Sequence, residues 1–285
     1  MTARLDGTPV PAPALAGAGT GRPRVMGILN VSPDSFSDGG AHRGTAEAIR
    51  HGETMAAQGA DWIDVGGEST RPGARRPSMA TELARVLPVV RGLARRGIRV
   101  SVDTMRAEVA RRAVDAGARM VNDVSGGLAD PAMLPAVAGL GTPYVLTHWR
   151  SSQVPEHRSE TYPDVAADVA AELHERARTA IGAGIEPQRI IVDPGIGFSK
   201  NPGQSWRLLG RIQAIRDLGF PVLVGASRKR LLTEVSGPDT SLARRDLATA
   251  VLSALLAANG VDLLRVHDVA GNLLALEVEQ RLRGG

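Results

Sequence analysis

Short apolar runs alternate along the chain with longer segments of helical periodicity, from Arg24 onward. Eight runs rich in Val, Ile and Leu are predicted β-strands: Val25–Leu29, Trp62–Val65, Arg99–Val102, Met120–Asn122, Tyr144–Thr147, Ile190–Val192, Val222–Val224 and Leu263–Val266. The clearest predicted helices between them are Thr45–Gln58, Ala80–Arg95, Arg106–Ala116, Val165–Ala183 and Arg244–Asn259. Glycines that accept the left-handed conformation past a helix end follow several segments: Gly59, Gly97, Gly117, Gly184 and Gly260.

This alternation predicts an α/β protein, a (β/α)8 TIM barrel. Eight strands, each followed by a helix, over about 260 residues are the number and size typical of that fold. The alternative is a doubly wound open sheet, which usually has fewer strands and binds its ligand in a crevice. No internal linker interrupts the pattern, so residues 24–285 are predicted to form a single domain.

The start of the chain has a different character. Residues 1–23 are rich in Ala, Gly, Pro and Thr, without periodicity or a signal-type apolar run, and are predicted to be a disordered tail. The longest apolar stretch, Leu247–Ala258, has about 12 residues, whereas a membrane-spanning helix needs about 20. We therefore expect a soluble, cytoplasmic protein with no membrane association.

Composition narrows the chemistry. The chain contains no cysteine, which excludes disulfide scaffolds, thiol nucleophiles and cysteine-bound metals. The formal net charge is +4, and the arginines are scattered among acids, so we expect no nucleic-acid interface. Only two of the 34 Lys and Arg residues are lysine, Lys200 and Lys229. Arginine cannot replace a lysine where a compact point charge is required. For Lys200, the interpretation as a leftover surface lysine remains open.

Polar residues follow every predicted strand, where a barrel carries its active site: Asn30, Asp64, Asp103, Asn122, Asp123, His148, Asp193, Ser227, Lys229, Arg265 and His267. Any one of the small polar residues alone would be a common helix cap, and a lone His148 a structural hydrogen bonder. Caps do not call for Lys229, Arg265 and His267 as well. We therefore interpret the strand ends together as the location of a ligand site.

The side chains at the strand ends suggest a ligand with two parts. Two carboxylates and an amide suit a planar heterocycle that carries N–H donors: Asp103, Asp193 and Asn122. Three basic groups suit an anion, most simply a phosphate or diphosphate: Arg265, His267 and Lys229. Because side chains alternate across a strand, Arg265 and His267 share a face, and only one of Asn122 and Asp123 is expected to enter the site.

Two polar loops after the first and second strands are long for a barrel. The first, residues 31–40, contains Phe36 and Asp38. The second, residues 66–73, contains Thr70, Arg71 and Pro72. Long polar loops over a barrel mouth can close as lids, but they can equally be solvated turns.

Six segments, taken together, resemble dihydropteroate synthase: Met26–Asn30 with the loop after it, Gly66–Gly73, Val121–Gly126, Asp193–Phe198, Gly225–Lys229 and Arg265–Asp268. They occur in that family's order and extend over residues 24–282. After the fifth strand the chain departs from the family, because Thr147-His148-Trp149 replaces a common Met-His pairing. The polar residues 151–160 have no role that the sequence indicates.

The resemblance implies a TIM-barrel transferase of folate biosynthesis. That family joins 6-hydroxymethyl-7,8-dihydropterin diphosphate to 4-aminobenzoate, giving dihydropteroate and diphosphate. Carried over, the pterin-ring residues would be Asp103, Asn122, Asp193 and Lys229. The diphosphate end would meet Thr70, Arg265 and His267. The aminobenzoate pocket would include Phe36, Arg71, Pro72 and Ser227. Asn30 would bind Mg²⁺ with the diphosphate, and the catalytic contacts would be Asp103, Lys229, Arg71 and, more weakly, Asp38. The family also implies a homodimer packed through outer helices.

The implied reaction is SN1-like. Diphosphate would leave a carbon attached to the electron-rich dihydropterin, and the resulting cation would be delocalised over the ring. Arg265, His267 and Mg²⁺ would stabilise the departing charge, and Asp103 the cation. Loop closure would exclude water, which competes with the arylamine.

Three other functions remain open. A catalytically silent pterin-binding paralogue would be favoured by loss of Asn30, Lys229 or the Arg265 and His267 pair, all of which are present. A corrinoid-type pterin-binding methyltransferase domain would need neither an aminobenzoate loop nor a diphosphate clamp. A structural or nucleic-acid-binding protein is disfavoured by the scattered arginines and only eight aromatic residues.

Overall fold

The predicted strands form a single barrel sheet in the computed structural model, which describes residues 4–5, 8–9, 21–31, 40–68, 76–150, 161–236 and 241–284. The barrel strands, numbered β1 to β8, are Arg24–Asn30, Trp62–Gly66, Val100–Asp103, Met120–Asp123, Tyr144–Thr147, Ile190–Asp193, Leu223–Val224 and Leu263–Val266. All eight predicted strands are confirmed, with ends that differ by one residue at most.

The strands are parallel and lie in the order β6-β5-β4-β3-β2-β1-β8-β7. A single parallel bridge between Val192 and Val222 joins the first and last members of that order. Next to it, the amide of Val192 donates to the carbonyl of Pro221 over 2.9 Å. These contacts close the sheet, so the predicted (β/α)8 barrel is confirmed.

The helices are numbered α1 to α10 in chain order: Gly40–Ala57, Met79–Ala94, Ala107–Asp115, Met133–Leu140, Val165–Gly182, Pro202–Gly210, Gln213–Arg216, Thr233–Ser236, Leu242–Ala258 and Val269–Gly284. Two 3-10 turns, Pro187–Arg189 and Arg230–Leu232, precede β6 and α8. The five helices predicted most clearly are α1, α2, α3, α5 and α9, and all are present. The five glycines predicted after helices have positive φ.

The period of two along each strand divides the buried residues into two clusters. One fills the inside of the barrel near the strand starts: Met26, Trp62, Met120, Val145, Ile191, Leu223 and Leu263. The larger one packs between the outside of the strands and the helices, with Leu29, Val65, Val102 and Leu146 among its members. Because the apolar plug closes the lower half of the barrel, a ligand can enter only from the carboxyl ends of the strands.

The segment predicted to be a tail contains two two-residue strands, Arg4–Leu5 and Thr8–Pro9, which pair antiparallel. Most of residues 1–20 lie outside the described ranges, so the boundary at residue 24 stays a prediction. Among the described helices, none combines the length and apolarity needed to cross a membrane.

Candidate active site

The described strand-end residues gather at one mouth of the barrel. Four polar residues form a layer above the apolar cluster inside the barrel, each two residues further along its strand than a member of that cluster. They are Asp64 after Trp62, Asn122 after Met120, Asp193 after Ile191 and Arg265 after Leu263. Asp103, at the end of β3, is level with Asn122 on β4 in the sheet register. Five predicted site residues lie outside the described residues: Phe36, Asp38, Thr70, Arg71 and Pro72.

Arg265 connects the carboxylates at the floor of this mouth. Its Nε donates to Asp64 Oδ2 over 2.6 Å, and its Nη2 donates to Asp103 Oδ2 over 2.7 Å. The side-chain amide of Asn122 donates from Nδ2 to the same Asp64 oxygen over 2.9 Å. Asp64 is fully buried, so these contacts fix the orientation of both neighbours. In particular, the bond from Nδ2 leaves Asn122 Oδ1 as the acceptor that can face a ligand.

The charges of this floor influence one another. Burial raises the pKa of Asp103 to about 7, with Arg265 opposing the rise and the Asp64 carboxylate adding to it. Burial opposes the charge of Arg265, but Asp64 and Asp103 together raise its pKa. The arrangement therefore holds a permanent cation beside a carboxyl group that titrates near neutral pH. Carboxyl groups tuned in this way cluster at functional sites.

Asp64 was noted as a strand-end residue but was absent from the predicted site. The signal that could have included it is its spacing: it follows Trp62 by two residues, as Asn122 follows Met120. The same face of neighbouring strands must carry both side chains.

Lys229 and Asp193 form the opposite wall. Lys229 Nζ donates to the carbonyl of Ile196 and lies 4.3 Å from the centre of the Phe198 ring. Burial lowers the pKa of Lys229 to about 8, although Asp193 favours its charged form. Asp193 Oδ1 accepts the amide of Gly195 over 2.7 Å, and burial raises the pKa of this carboxyl against the pull of Lys229.

Ser227 and His267 are joined across β7 and β8. The amide of His267 donates to Ser227 Oγ over 3.2 Å, and the hydroxyl lies 3.0 Å from His267 Nδ1. The Ser227 hydroxyl can donate to Nδ1 or accept from it, so the contact holds the imidazole in place in either tautomer. Ser227 is predicted in the aminobenzoate pocket, and here it orients an imidazole.

Asp123 and Asn122 point to opposite sides of β4, as expected from strand alternation. Asp123 points away from the barrel interior and accepts from the amides of Ser125 and Gly127, each over 2.8 Å. It also accepts from the hydroxyls of Ser125 (2.6 Å) and Tyr144 (2.8 Å). With its oxygens occupied in this way, Asp123 is structural, whereas Asn122 faces the site.

Lys200 is not a surface lysine. Its side chain is 7% exposed, and Nζ donates to His148 Nδ1 (2.8 Å) and to the carbonyls of Gly195 (3.2 Å) and Phe198 (3.0 Å). The interpretation of Lys200 as a leftover surface residue is therefore wrong. His148 is the structural hydrogen bonder that a lone histidine usually is.

Asn30 ends β1 and is exposed at the same mouth. Within the described ranges there is no group of three or more His, Asp or Glu placed to hold a metal ion. Mg²⁺ needs no such cage, because it commonly keeps several waters and takes one or two protein oxygens plus substrate phosphates. A single amide oxygen beside an anion site fits that pattern.

Comparison with known proteins identifies the family of this chain. A family model described as pterin binding enzyme matches residues 26–267. The dihydropteroate synthase of Mycobacterium leprae is 48% identical over 261 residues, which cover 90% of this chain and 92% of that protein. The chain belongs to the dihydropteroate synthase family.

Solved dihydropteroate synthases have the same fold. The Xanthomonas albilineans enzyme with 4-aminobenzoic acid is 44% identical, with a TM-score of 0.86 over 93% of this chain and 94% of that one. The same organism's enzyme in complex with 7,8-dihydropteroate is 42% identical, with a TM-score of 0.83 over 93% of this chain and 95% of that one. As a dihydropteroate synthase, the chain is a transferase of folate biosynthesis.

Proposed function

We propose that the chain condenses 6-hydroxymethyl-7,8-dihydropterin diphosphate with 4-aminobenzoate, giving 7,8-dihydropteroate and diphosphate. The observation that carries the proposal is the pairing, at one barrel mouth, of an acceptor layer with adjacent cations. A substrate with an N–H-rich ring and an anionic leaving group matches both parts.

The pterin ring is bound by acceptors whose orientation the protein has already set. Asn122 offers Oδ1 because Asp64 holds its Nδ2, and Asp193 offers its second oxygen because Gly195 holds the first. Asp103 completes the set. Lys229 supplies the opposing donor, a slim ammonium that reaches a ring carbonyl or nitrogen. Such preorganised groups bind a planar heterocycle without further ordering cost.

The leaving group is stabilised on the cationic side. Arg265 and His267 share the inward face of β8, and both can donate to diphosphate oxygens as negative charge develops on them. Asn30 would hold Mg²⁺, which when bound supplies further positive charge to the diphosphate. Asp103 lies beside Arg265, so its carboxylate stabilises the cation that develops on the dihydropterin in an SN1-like departure.

The aminobenzoate pocket is proposed from the family resemblance. It comprises Ser227, whose place beside His267 puts it at the mouth, and residues of the first two loops: Phe36, Arg71 and Pro72. Thr70 is proposed at the diphosphate end, and Asp38 at the reacting centre. We also propose that the enzyme acts in the cytoplasm on small molecules only.

We propose in addition that two copies pair through α9 and α10. These helices pack against each other and together present an apolar stripe whose members are each more than half exposed: Leu247, Val251, Leu255, Leu274, Val278 and Leu282. The spacing of four residues on each helix keeps the stripe on one side. In a dimer with twofold symmetry, the stripe of one subunit packs against the same stripe of the other subunit. Light scattering should give a dimer for the wild type and a monomer for Leu255→Asp. A monomeric wild type would contradict this interface.

The activity is tested by mixing the purified protein with the pterin diphosphate, 4-aminobenzoate and Mg²⁺, and following dihydropteroate by chromatography. The wild type should form product, and Asp103→Asn should remain folded and turn over far more slowly. Tight pterin binding without product would instead favour a silent paralogue.

A further inference from the structure

The turn after β6 connects the two proposed pterin residues, Asp193 and Lys229. The amide of Gly195 holds Asp193 Oδ1. The carbonyl of Ile196 and the ring of Phe198 hold the ammonium of Lys229. The placement of both charged groups therefore depends on the conformation of Gly195–Phe198.

That conformation is unusual and needs support. Gly195 and Gly197 have φ of 66° and 76°, and Ser199, which is not a glycine, has φ of 51°. A Cβ on Gly195 would collide with the backbone carbonyl of His148. Backbone in this region is costly for residues with a side chain and persists only where its surroundings hold it.

Lys200 supplies this support from beneath the turn. It contacts the carbonyls at both ends of the turn, those of Gly195 and Phe198, and its third hydrogen bond goes to His148 Nδ1. Burial lowers the pKa of Lys200, and the Asp193 carboxylate opposes that shift. In the ammonium form, the three hydrogens point in tetrahedral directions and match the three acceptors. A planar guanidinium could not converge on the same three atoms, which explains why an arginine-rich chain has a lysine at this position.

His148 is in turn a fixed acceptor. Its other ring nitrogen, Nε2, lies 3.0 Å from Glu172 Oε2, and Glu172 also accepts from Arg150 Nε over 2.9 Å. Because Glu172 accepts only, Nε2 carries the hydrogen and Nδ1 presents a lone pair to Lys200. The backbone amide of His148 also donates to the carbonyl of Asp193 over 2.8 Å. The imidazole is therefore locked in one tautomer and one place.

We propose that Lys200 is a positioning residue for the pterin site: it fixes the Gly195–Phe198 turn against His148, and the turn places Asp193 and Lys229. The inference rests on the proposed pterin-binding roles of those two residues. Lys200 acts through the turn and contacts no substrate.

Lys200→Met tests the proposal, because it retains much of the side-chain volume and removes all three donors. We expect the Kd for 6-hydroxymethylpterin, measured by calorimetry, to rise about 10- to 100-fold, the cost typical of a misplaced binding group. The KM for 4-aminobenzoate at saturating pterin diphosphate should change less than about twofold, since Ser227, the described residue of the pocket proposed for it, is hydrogen-bonded to His267 on β8. The alkaline limb of pterin binding should move to higher pH, because Lys229 loses burial that lowers its pKa.

The matched control is Tyr144→Phe, which removes a buried hydrogen bond on the outer side of the barrel. It should lower stability and leave both the pterin Kd and the alkaline limb unchanged. Hydrogen exchange supplies a readout without ligand: the peptide over residues 194–200 should lose protection in Lys200→Met and not in Tyr144→Phe.

The outcomes separate the inference from the proposed function. A wild type that binds no pterin would overturn the proposed function. Hydrogen exchange over residues 194–200 would then still test whether Lys200 stabilises the turn. A Lys200→Met protein with unchanged pterin Kd would overturn the positioning role. Lys200→Gln, whose amide keeps two of the three N–H donors, should show an intermediate loss and serves if Lys200→Met does not fold. Failure of both variants to fold would overturn the proposal, since Lys200 would then be required by the barrel itself.

Discussion

The charge states of Asp103 and Lys229 predict a bell-shaped pH dependence of kcat/KM for the pterin diphosphate. In the proposed mechanism Asp103 is ionised when it accepts a ring N–H and stabilises the cation, and its pKa of about 7 means that it is mostly charged above that pH. Lys229 must be protonated, and its pKa of about 8 means that it is charged only below that pH. The active form is therefore most abundant between pH 7 and 8.

The magnitude follows from the titration of a single group. Below its pKa the charged fraction of a carboxyl falls about tenfold per pH unit, so kcat/KM at pH 5 should be about 100-fold below its maximum. An ordinary aspartate would still be mostly ionised there. Burial of Asp103 among other carboxylates, with only Arg265 opposing, produces the difference.

Asp103→Asn is the decisive variant. Its residual activity should be about 100- to 1,000-fold below that of the wild type, the loss typical of one preorganised electrostatic contact. The acid limb should disappear. Because the Asp103 carboxylate favours the charged form of Lys229, its loss should also move the alkaline limb to lower pH.

Initial rates from pH 5 to 9.5 at low pterin diphosphate, in buffers of constant ionic strength, measure both limbs. The matched control is Asp262→Asn, which alters another carboxyl whose pKa burial raises, one that accepts the amide of Val222 near the start of β7. It should retain the wild-type profile. An acid limb that persists in Asp103→Asn would assign that limb to another group and refute the reasoning.

Three further predictions concern separate parts of the molecule. Lys229→Arg should weaken pterin binding about 10- to 100-fold in calorimetry, because the guanidinium cannot keep both the Phe198 ring contact and the ring hydrogen bond; normal affinity would refute the requirement for lysine. Tyr144→Phe should lower the free energy of unfolding in urea by about 1–2 kcal/mol, since Asp123 loses one buried donor; an unchanged midpoint would contradict that. Removal of Mg²⁺ with EDTA should abolish product formation, and Asn30→Ala should raise the Mg²⁺ concentration needed for half-maximal rate; full activity in EDTA would rule out the metal.

Sequence periodicity predicted the barrel well because strands and helices differ in the period of their apolar residues. Every strand was located, including β7, where Leu223–Val224 is only two residues long. Short helices were harder: Met133–Leu140 has a proline and few polar residues, so no amphipathic stripe marks it. Propensity and pattern cannot identify such an element until the neighbouring helices bury it.

Site residues were predicted where strand alternation and the family motif agree. They were missed where the role of a residue depends on its burial in the folded barrel. Alternation predicted that only one of Asn122 and Asp123 enters the site, and the family motif selected Asn122; the hydrogen bonds of Asp123 to Tyr144 and of Asn122 to Asp64 place the two side chains on opposite sides. Lys200 could not be assigned, because a lysine in a loop gives no sign of whether three carbonyl and ring acceptors surround it. Its hydrogen bond to His148 joins positions 52 residues apart in the chain, and only the folded barrel brings them together.

The single bridge between Val192 and Val222 has a consequence for how substrate and fold depend on each other. The seam between β6 and β7 is where the barrel has least backbone pairing, so it is where local opening should cost least. Asp193 lies at the end of one edge of this seam, and Lys229 follows the other. In the proposed binding mode the pterin contacts both residues and so bridges this seam, and pterin binding and closure of the seam favour each other by mass action. Part of the free energy of pterin binding is then used to keep the seam closed. A barrel with more backbone hydrogen bonds between β6 and β7 would therefore bind the pterin more tightly, without any new contact to the ligand.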